Sequence, residues 1–148
     1  MPRVPHVQWI GPDAHPGSGN VPSIAYSLVV IAAMKVRLRV LGLGRTLRWI
    51  RRREAPAPTT TLALNTFVTA CEYSVAMAAA LYPGRAMCLE RSLALLYLAR
   101  RAGVPVTYHH GVQPLPFAAH AWVEYESRVI NDANEHVNEF LRLPQVCP

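Results

Sequence analysis

Pro83-Gly84-Arg85-Ala86-Met87-Cys88-Leu89-Glu90-Arg91-Ser92-Leu93-Ala94-Leu95-Leu96-Tyr97-Leu98-Ala99-Arg100-Arg101 is the stretch around which the chain organises. It reads as a turn, a cysteine and then a helix. Pro83-Gly84 ends what precedes it. Beyond Cys88, leucine, alanine and tyrosine fill nearly every position, and charge is confined to Glu90, Arg91, Arg100 and Arg101. A helix that is apolar almost all round is a buried one. Gly103 and Pro105 supply its stop. A cysteine therefore stands at the N-terminal end of a central buried helix, where unpaired backbone N–H groups and partial positive charge favour a thiolate. Cysteine is also among the most buried residue types, so core packing alone accounts for the same residue without chemistry.

Working outward, the 148 residues suit one domain with a single core. Half of them are hydrophobic and few are charged, which excludes a disordered chain. The three cysteines, Cys71, Cys88 and Cys147, are an odd count without close spacing. They form neither a disulfide framework nor a zinc knuckle, and they fit a reducing compartment. The apolar run from Val21 to Met34, about 14 residues, is too short to span a bilayer. Only Arg3 precedes it, so no basic signal-peptide region leads it. The expectation is a cytoplasmic protein with at most weak affinity for a membrane surface.

The net charge of +6 is unevenly placed. Lys35, Arg37, Arg39, Arg45, Arg48, Arg51, Arg52 and Arg53 hold over half of the basic residues in one short segment. Such a run suits an acidic partner, or simply a solvated helix face. No aromatic interleaving or zinc-finger spacing points to nucleic acid.

Three segments follow from composition. Residues 1–22, rich in proline and glycine, read as an irregular arm. Residues 23–58 read as a basic helical segment: Ser23 caps a helix from Ile24 to Leu41, Gly42 and Gly44 break it, and Arg45 to Arg53 form a second helix. The alternation from Lys35 to Val40 also admits a strand. Residues 59–148 read as the core domain. In it a helix from Leu62 to Leu81 is capped by Thr59, Thr60 or Thr61, and Cys71 is packing. After the Cys88 helix the texture changes to strands at Val106–Val112, Ala118–Tyr125 and Arg128–Asp132, joined by turns. The tail from Ala133 reads as irregular. Helices followed by an antiparallel meander make an α+β architecture.

A thiol nucleophile needs a base, and the base needs a group to orient it. His120 lies in the second strand and Asp132 at the end of the third, its hairpin partner. Parity constrains them. A plain two-residue turn at Glu126-Ser127 puts Asp132 opposite Ala121, on the wrong face. The sequence reading therefore expects a longer turn or a bulge at Glu126 to Arg128. Of the neighbouring His109 and His110, only one can point toward Cys88, as a substitute base. A Cys88/His109/His120 metal site lacks a close-spaced ligand pair. Arg91 reads as structural rather than catalytic, Glu124 pairs with Arg91 or lies at the sheet edge, and Trp122 belongs to the core or walls a cleft. His136 and Cys147 read as inert.

Cys88-Leu89-x-Arg91-Ser92-Leu93-Ala94-Leu95, Gly103-Val104-Pro105, Gly111-Val112, Ala119-His120-Ala121-Trp122-Val123-Glu124 and Val129-Ile130-Asn131-Asp132 together resemble the transglutaminase-like cysteine proteases of lasso-peptide biosynthesis. The resemblance covers roughly residues 24 to 132. It implies a transglutaminase-like (papain-like) core, with Cys88 matching the nucleophile, His120 the base and Asp132 the orienting acid, and with no cofactor or metal. It implies removal of the leader from a precursor peptide. The partners it implies are a small leader-recognition protein and an ATP-dependent macrolactam cyclase that uses the freed amine. Ser127 stands where related chains often carry glycine, which asks a serine to adopt positive φ. A non-catalytic leader-binding module and an acyltransferase using the same triad are the competing readings. A binding module has no need of all three residues.

Overall fold

The first helix begins where the sequence supplies a cap. The Ser23 hydroxyl accepts the Tyr26 amide at 3.2 Å, closing the start of α1 (Ile24–Arg51). At Gly42 (φ 75°, ψ 173°) the helix kinks, a conformation that glycine alone adopts freely. The two helices read from sequence are thus one element with a break, and the alternative strand at Lys35–Val40 does not form. This computed structural model describes residues 21–55, 61–84 and 86–145, with backbone alone at 61–63. Most of the expected arm, Thr59 and Thr60 of the three threonines expected to cap the second helix, and Cys147 lie outside the described residues; Thr61, the third, is the first residue of that helix.

The second helix, α2 (Thr61–Leu81), buries Val68, Cys71, Val75 and Ala78, a spacing that makes one stripe. Its Leu64–Leu81 stretch, at a mean hydropathy of 1.2, is long and apolar enough by length and composition alone to cross a membrane. In the fold it packs against α1 and against α3 (Cys88–Arg101). A buried serine pair joins α1 to α2. Ser74 donates to the Cys71 carbonyl at 3.1 Å, which leaves Ser27 to donate to Ser74 at 3.0 Å. Every side chain of α3 from Ser92 to Ala99 is buried, as its composition requires. Gly103, at φ 79°, ends it. Near that end Arg100 reaches the Val106 carbonyl with two nitrogens and Glu54 with a third, tying the exit of α1 to α3.

The strands are β1 (Thr107–Gln113), β2 (Ala118–Tyr125), β3 (Arg128–Val129) and β4 (Leu141–Arg142). They form one antiparallel sheet in the order β3-β2-β1-β4. The tail departs from the sequence reading. It forms a short helix, α4 (Asn134–Val137), and then β4, which pairs with β1 at Gly111 and Val112. Gly111 permits this. A Cβ there would lie 2.7 Å from the Leu141 carbonyl oxygen and 3.0 Å from Phe140 Cβ.

Alternation along β2 gives the sheet two distinct faces. Ala121, Val123 and Tyr125 join the core built with the three long helices. Trp122 joins Val129, Val137 and Phe140 in a second, smaller core, with Ala118 packed against it.

The expected bulge is absent. Glu124 pairs with Val129 and Tyr125 with Arg128, so Glu126-Ser127 is a plain two-residue turn. Both of its residues have positive φ, 49° and 64°, as the hairpin turns matching strand twist require. Serine pays a steric penalty there that glycine does not. Ser127→Gly should therefore raise unfolding stability by up to about 1 kcal/mol, part of which glycine returns as unfolded-state entropy. A lowered urea midpoint would contradict this.

Candidate active site

Asp132 reaches His120 in spite of the register. Strand β3 is cut short at Val129, three residues before the expected end at Asp132. Ile130 still donates to the Val123 carbonyl at 3.0 Å. The Val123 amide then turns not to backbone but to the Asn131 side-chain oxygen, at 2.9 Å. A side chain has replaced the next carbonyl of the ladder. The chain bends away at this point, and parity no longer governs Asp132. Its Oδ2 sits 2.6 Å from His120 Nε2, and its Oδ1 accepts the Ala133 amide at 2.7 Å. The sequence reading paired the right residues through the wrong device.

His120 is held from several sides. Its ring stacks on Trp122 at 6.1 Å and lies 5.1 Å from Phe140, between centroids. His136 meets it edge-on at 4.9 Å. His136, which the sequence placed in an irregular tail, packs at the edge of the His120 ring. The side chain of His120 is 12% exposed and that of Asp132 25%, a pair shielded from water yet not sealed from it. An imidazole that donates Nε2–H to a carboxylate has its Nδ1 lone pair free to accept a proton.

Cys88 is the first residue of α3 and is partly exposed. Its helix is fixed to the sheet one turn further on. The Ser92 hydroxyl donates to the Ala121 carbonyl at 2.9 Å and accepts from the Asn131 amide at 2.8 Å. Positions four apart share a helix face, so Cys88 and Ser92 lie on the side of α3 that carries this bond. Ala121 adjoins His120. The structure thus brings His120 and Asp132 into contact on the Trp122 face of β2, and ties the helix of Cys88 to the neighbouring Ala121 on the opposite face. Among the described residues, no hydrogen bond joins Cys88 to His120.

The two neighbouring histidines of β1 separate by parity. His109 stacks on Trp122 and pairs with Glu124 at 3.3 Å, on the face away from α3. Burial lowers its affinity for a proton, and Arg142 and His110 add to that against the pull of Glu124. His110 is paired with Ala121 and stacks on Tyr108, so it lies on the α3 side. Of the two readings for Glu124, the pairing with Arg91 does not form. The Glu124 carboxylate binds Arg142 at 2.6 Å and Trp122 Nε1 at 3.0 Å. Trp122 is wholly buried, which settles it as core.

Sequence reading missed Tyr108. It is 5% exposed and faces the helical core, and its hydroxyl has no hydrogen-bond partner. Burial pushes its pKa well up, and the neighbouring Cys88 adds to the rise. Neither composition nor spacing marks such a residue. Burial alone pushes the Cys71 thiol up to about 12, as for inert packing.

Parts of the basic segment are absorbed by the fold. The Arg37 and Arg53 guanidinium groups lie 4.0 and 4.2 Å from the Trp49 ring centroid. Arg39, Arg45, Arg48, Arg51 and Arg52 remain exposed.

A family model described as the transglutaminase-like superfamily matches residues 30–145. No curated protein and no solved structure matches the chain. Ser92→Ala tests the tie between the nucleophile helix and the strand. It strands the buried Ala121 carbonyl and the Asn131 amide, and should cost about 1–3 kcal/mol per unsatisfied group. Chemical unfolding that shows a loss within a few tenths of a kcal/mol would deny Ser92 that role.

Proposed function

The chain belongs to the transglutaminase-like superfamily, whose members are commonly cysteine proteases or acyltransferases, and from that membership we propose that it is a cysteine peptidase acting through Cys88, His120 and Asp132. The observation that carries the reading is the 2.6 Å contact between His120 and Asp132, beside the strand residue to which the Cys88 helix is tied. A carboxylate on Nε2 fixes the tautomer, supports the imidazolium that forms, and leaves Nδ1 for the thiol. Such contacts are often open in a free enzyme and close on substrate.

In the proposed reaction the Cys88 sulfur attacks a peptide carbonyl, its proton passing to His120. The imidazolium protonates the leaving amine as the C–N bond breaks. The same imidazole then takes a proton from water, which attacks the thioester and releases the acid and the free thiol. The backbone N–H of Cys88, at the helix start, faces the developing oxyanion. The unpartnered Tyr108 hydroxyl, buried next to Cys88, supplies the second donor. A buried hydroxyl without a partner costs stability, and an oxyanion formed only during reaction accounts for its retention.

The finer reading is leader removal from a lasso-peptide precursor. Its support is the Cys-Leu-x-Arg and His-Ala-Trp-Val-Glu motifs at this spacing. The partners proposed with it are a leader-recognition protein, which the exposed arginines of α1 suit, and a macrolactam cyclase that consumes the freed amine. A cytoplasmic location goes with that pathway.

The test is cleavage of a precursor peptide, with the recognition protein present, by purified variants. Cys88→Ala and His120→Ala should abolish cleavage, while His110→Ala should retain it. Cleavage undiminished in Cys88→Ala would sink the peptidase reading. Loss in His110→Ala with retention in His120→Ala would move the base to the α3 side of the sheet. Tyr108→Phe should lower kcat about a hundredfold with KM little changed and folding stability equal or higher. An unchanged kcat would remove Tyr108 from the oxyanion site.

A further inference from the structure

Behind the dyad, on the side of the sheet away from α3, lies a set of metal-ligating side chains. His120, Asp132 and His136 each offer one ligand atom, and the three atoms lie within 4.8 Å of one another. His136 stands four residues after Asp132, on the turn of α4 that packs over His120. It makes no hydrogen bond to the dyad. Phe140 already supplies an aromatic wall on that side, 5.1 Å from His120 and 5.3 Å from His136. Resting on the assignment of His120 as base, we propose that these three residues form a site for a divalent ion of the zinc type, and that occupation of this site switches the enzyme off.

Two imidazoles and one carboxylate, with water in the fourth position, form a donor set that zinc takes readily and magnesium does not. Ligand atoms about 2.0–2.2 Å from a tetrahedral ion lie roughly 3.3 Å apart. The 2.6 Å His120–Asp132 contact must open by about 0.7 Å, and His136 must close by up to about 1.5 Å, both within reach of side-chain rotation. The His136 side chain is 47% exposed, so an ion arrives from solvent without disturbing either core. Glu139, 3.8 Å from His136 Nδ1, adds negative charge at the entrance.

The effect on chemistry follows from proton bookkeeping on one ring. The ion takes the Nε2 lone pair of His120, and the single ring proton that Nε2 shared with Asp132 moves, by exchange through solvent, to Nδ1. That atom becomes a donor and can no longer accept the thiol proton. The adjacent dication also opposes a second positive charge on the ring. Asp132 loses its orienting contact in the same event. The ion is thus no cofactor of the reaction but a reversible block on its base.

The experiment uses the full chain freed of metal by chelator. Zinc chloride is titrated while binding is read by calorimetry and by NMR of the histidine rings. One ion per chain should bind, shifting the His120 and His136 resonances together, and magnesium chloride should leave them unmoved. His136→Asn, a residue outside the proposed catalytic set, should weaken zinc binding tenfold or more with its unfolding midpoint kept. The same variant should cleave peptide like wild type but resist zinc, whereas zinc should block wild type and chelator should restore it. Equal zinc affinity in His136→Asn, or binding that leaves the His136 ring unshifted, would overturn the site. Zinc bound through His136 without inhibition of an active enzyme would overturn the switch and leave the peptidase reading standing. A wild-type chain that cleaves nothing would instead sink the peptidase reading and, with it, the switch; ring shifts alone would then support only the ion site.

Discussion

One hydroxyl holds the site together. Ser92 is wholly buried, donates to the Ala121 carbonyl and accepts from the Asn131 amide. A hydroxyl can do both at once, which neither an amide N–H nor a carbonyl alone can. The first bond locks α3 against β2. The second holds the chain where it leaves β3. Cys88 lies one helical turn before Ser92, and Asp132 one residue after Asn131, so both ends of the proposed triad take their positions from this side chain. In a low-dielectric interior such a bond is strong when made and expensive when broken.

The sheet separates two kinds of environment. Its helix side is an apolar core, with the buried residues of α1, α2 and α3 around Ala121, Val123 and Tyr125. Its other side is smaller and polar-aromatic, where Trp122 is flanked by the His109 and His120 rings and by the Arg142 guanidinium. Glu124 gathers the polar ends on that face. Burial pushes its carboxyl up, but hydrogen bonds from Trp122 and Arg142 and the nearby cations outweigh burial and hold it below the usual range. The histidine with the carboxylate is thus framed by aromatic rings, a setting that suits a group required to keep one orientation.

Much of this was legible in the chain itself. The run after Cys88 is apolar enough to demand burial, and Ser23, Gly42 and Gly103 mark the element ends that the structure shows. The His120 and Asp132 pairing was legible from motif and topology. Its geometry was not, because the register argument assumed that backbone continues to pair with backbone, whereas the Asn131 side chain ends the ladder. The tail was misread for a related reason. Leu141 and Arg142 are a strand only because the bare edge of Gly111 accepts them, a long-range fit that no local pattern encodes. Tyr108 was invisible since an unpaired hydroxyl is a property of its surroundings.

The topology also sets an order of events. Cys88 precedes the whole sheet in the chain, whereas His120 and Asp132 are twelve residues apart near its end. During synthesis the thiol is made first and its base last. The dyad closes locally, within one hairpin and its exit, at small loop entropy. The Ser92 bond spans 29 residues to Ala121 and 39 to Asn131, so it forms when the helix docks on a finished sheet. A chain that stops short of Asp132, on a ribosome or through truncation, carries a cysteine with no oriented imidazole. The proposed peptidase activity is thereby tied to completion of the fold, and under that reading incomplete copies are silent.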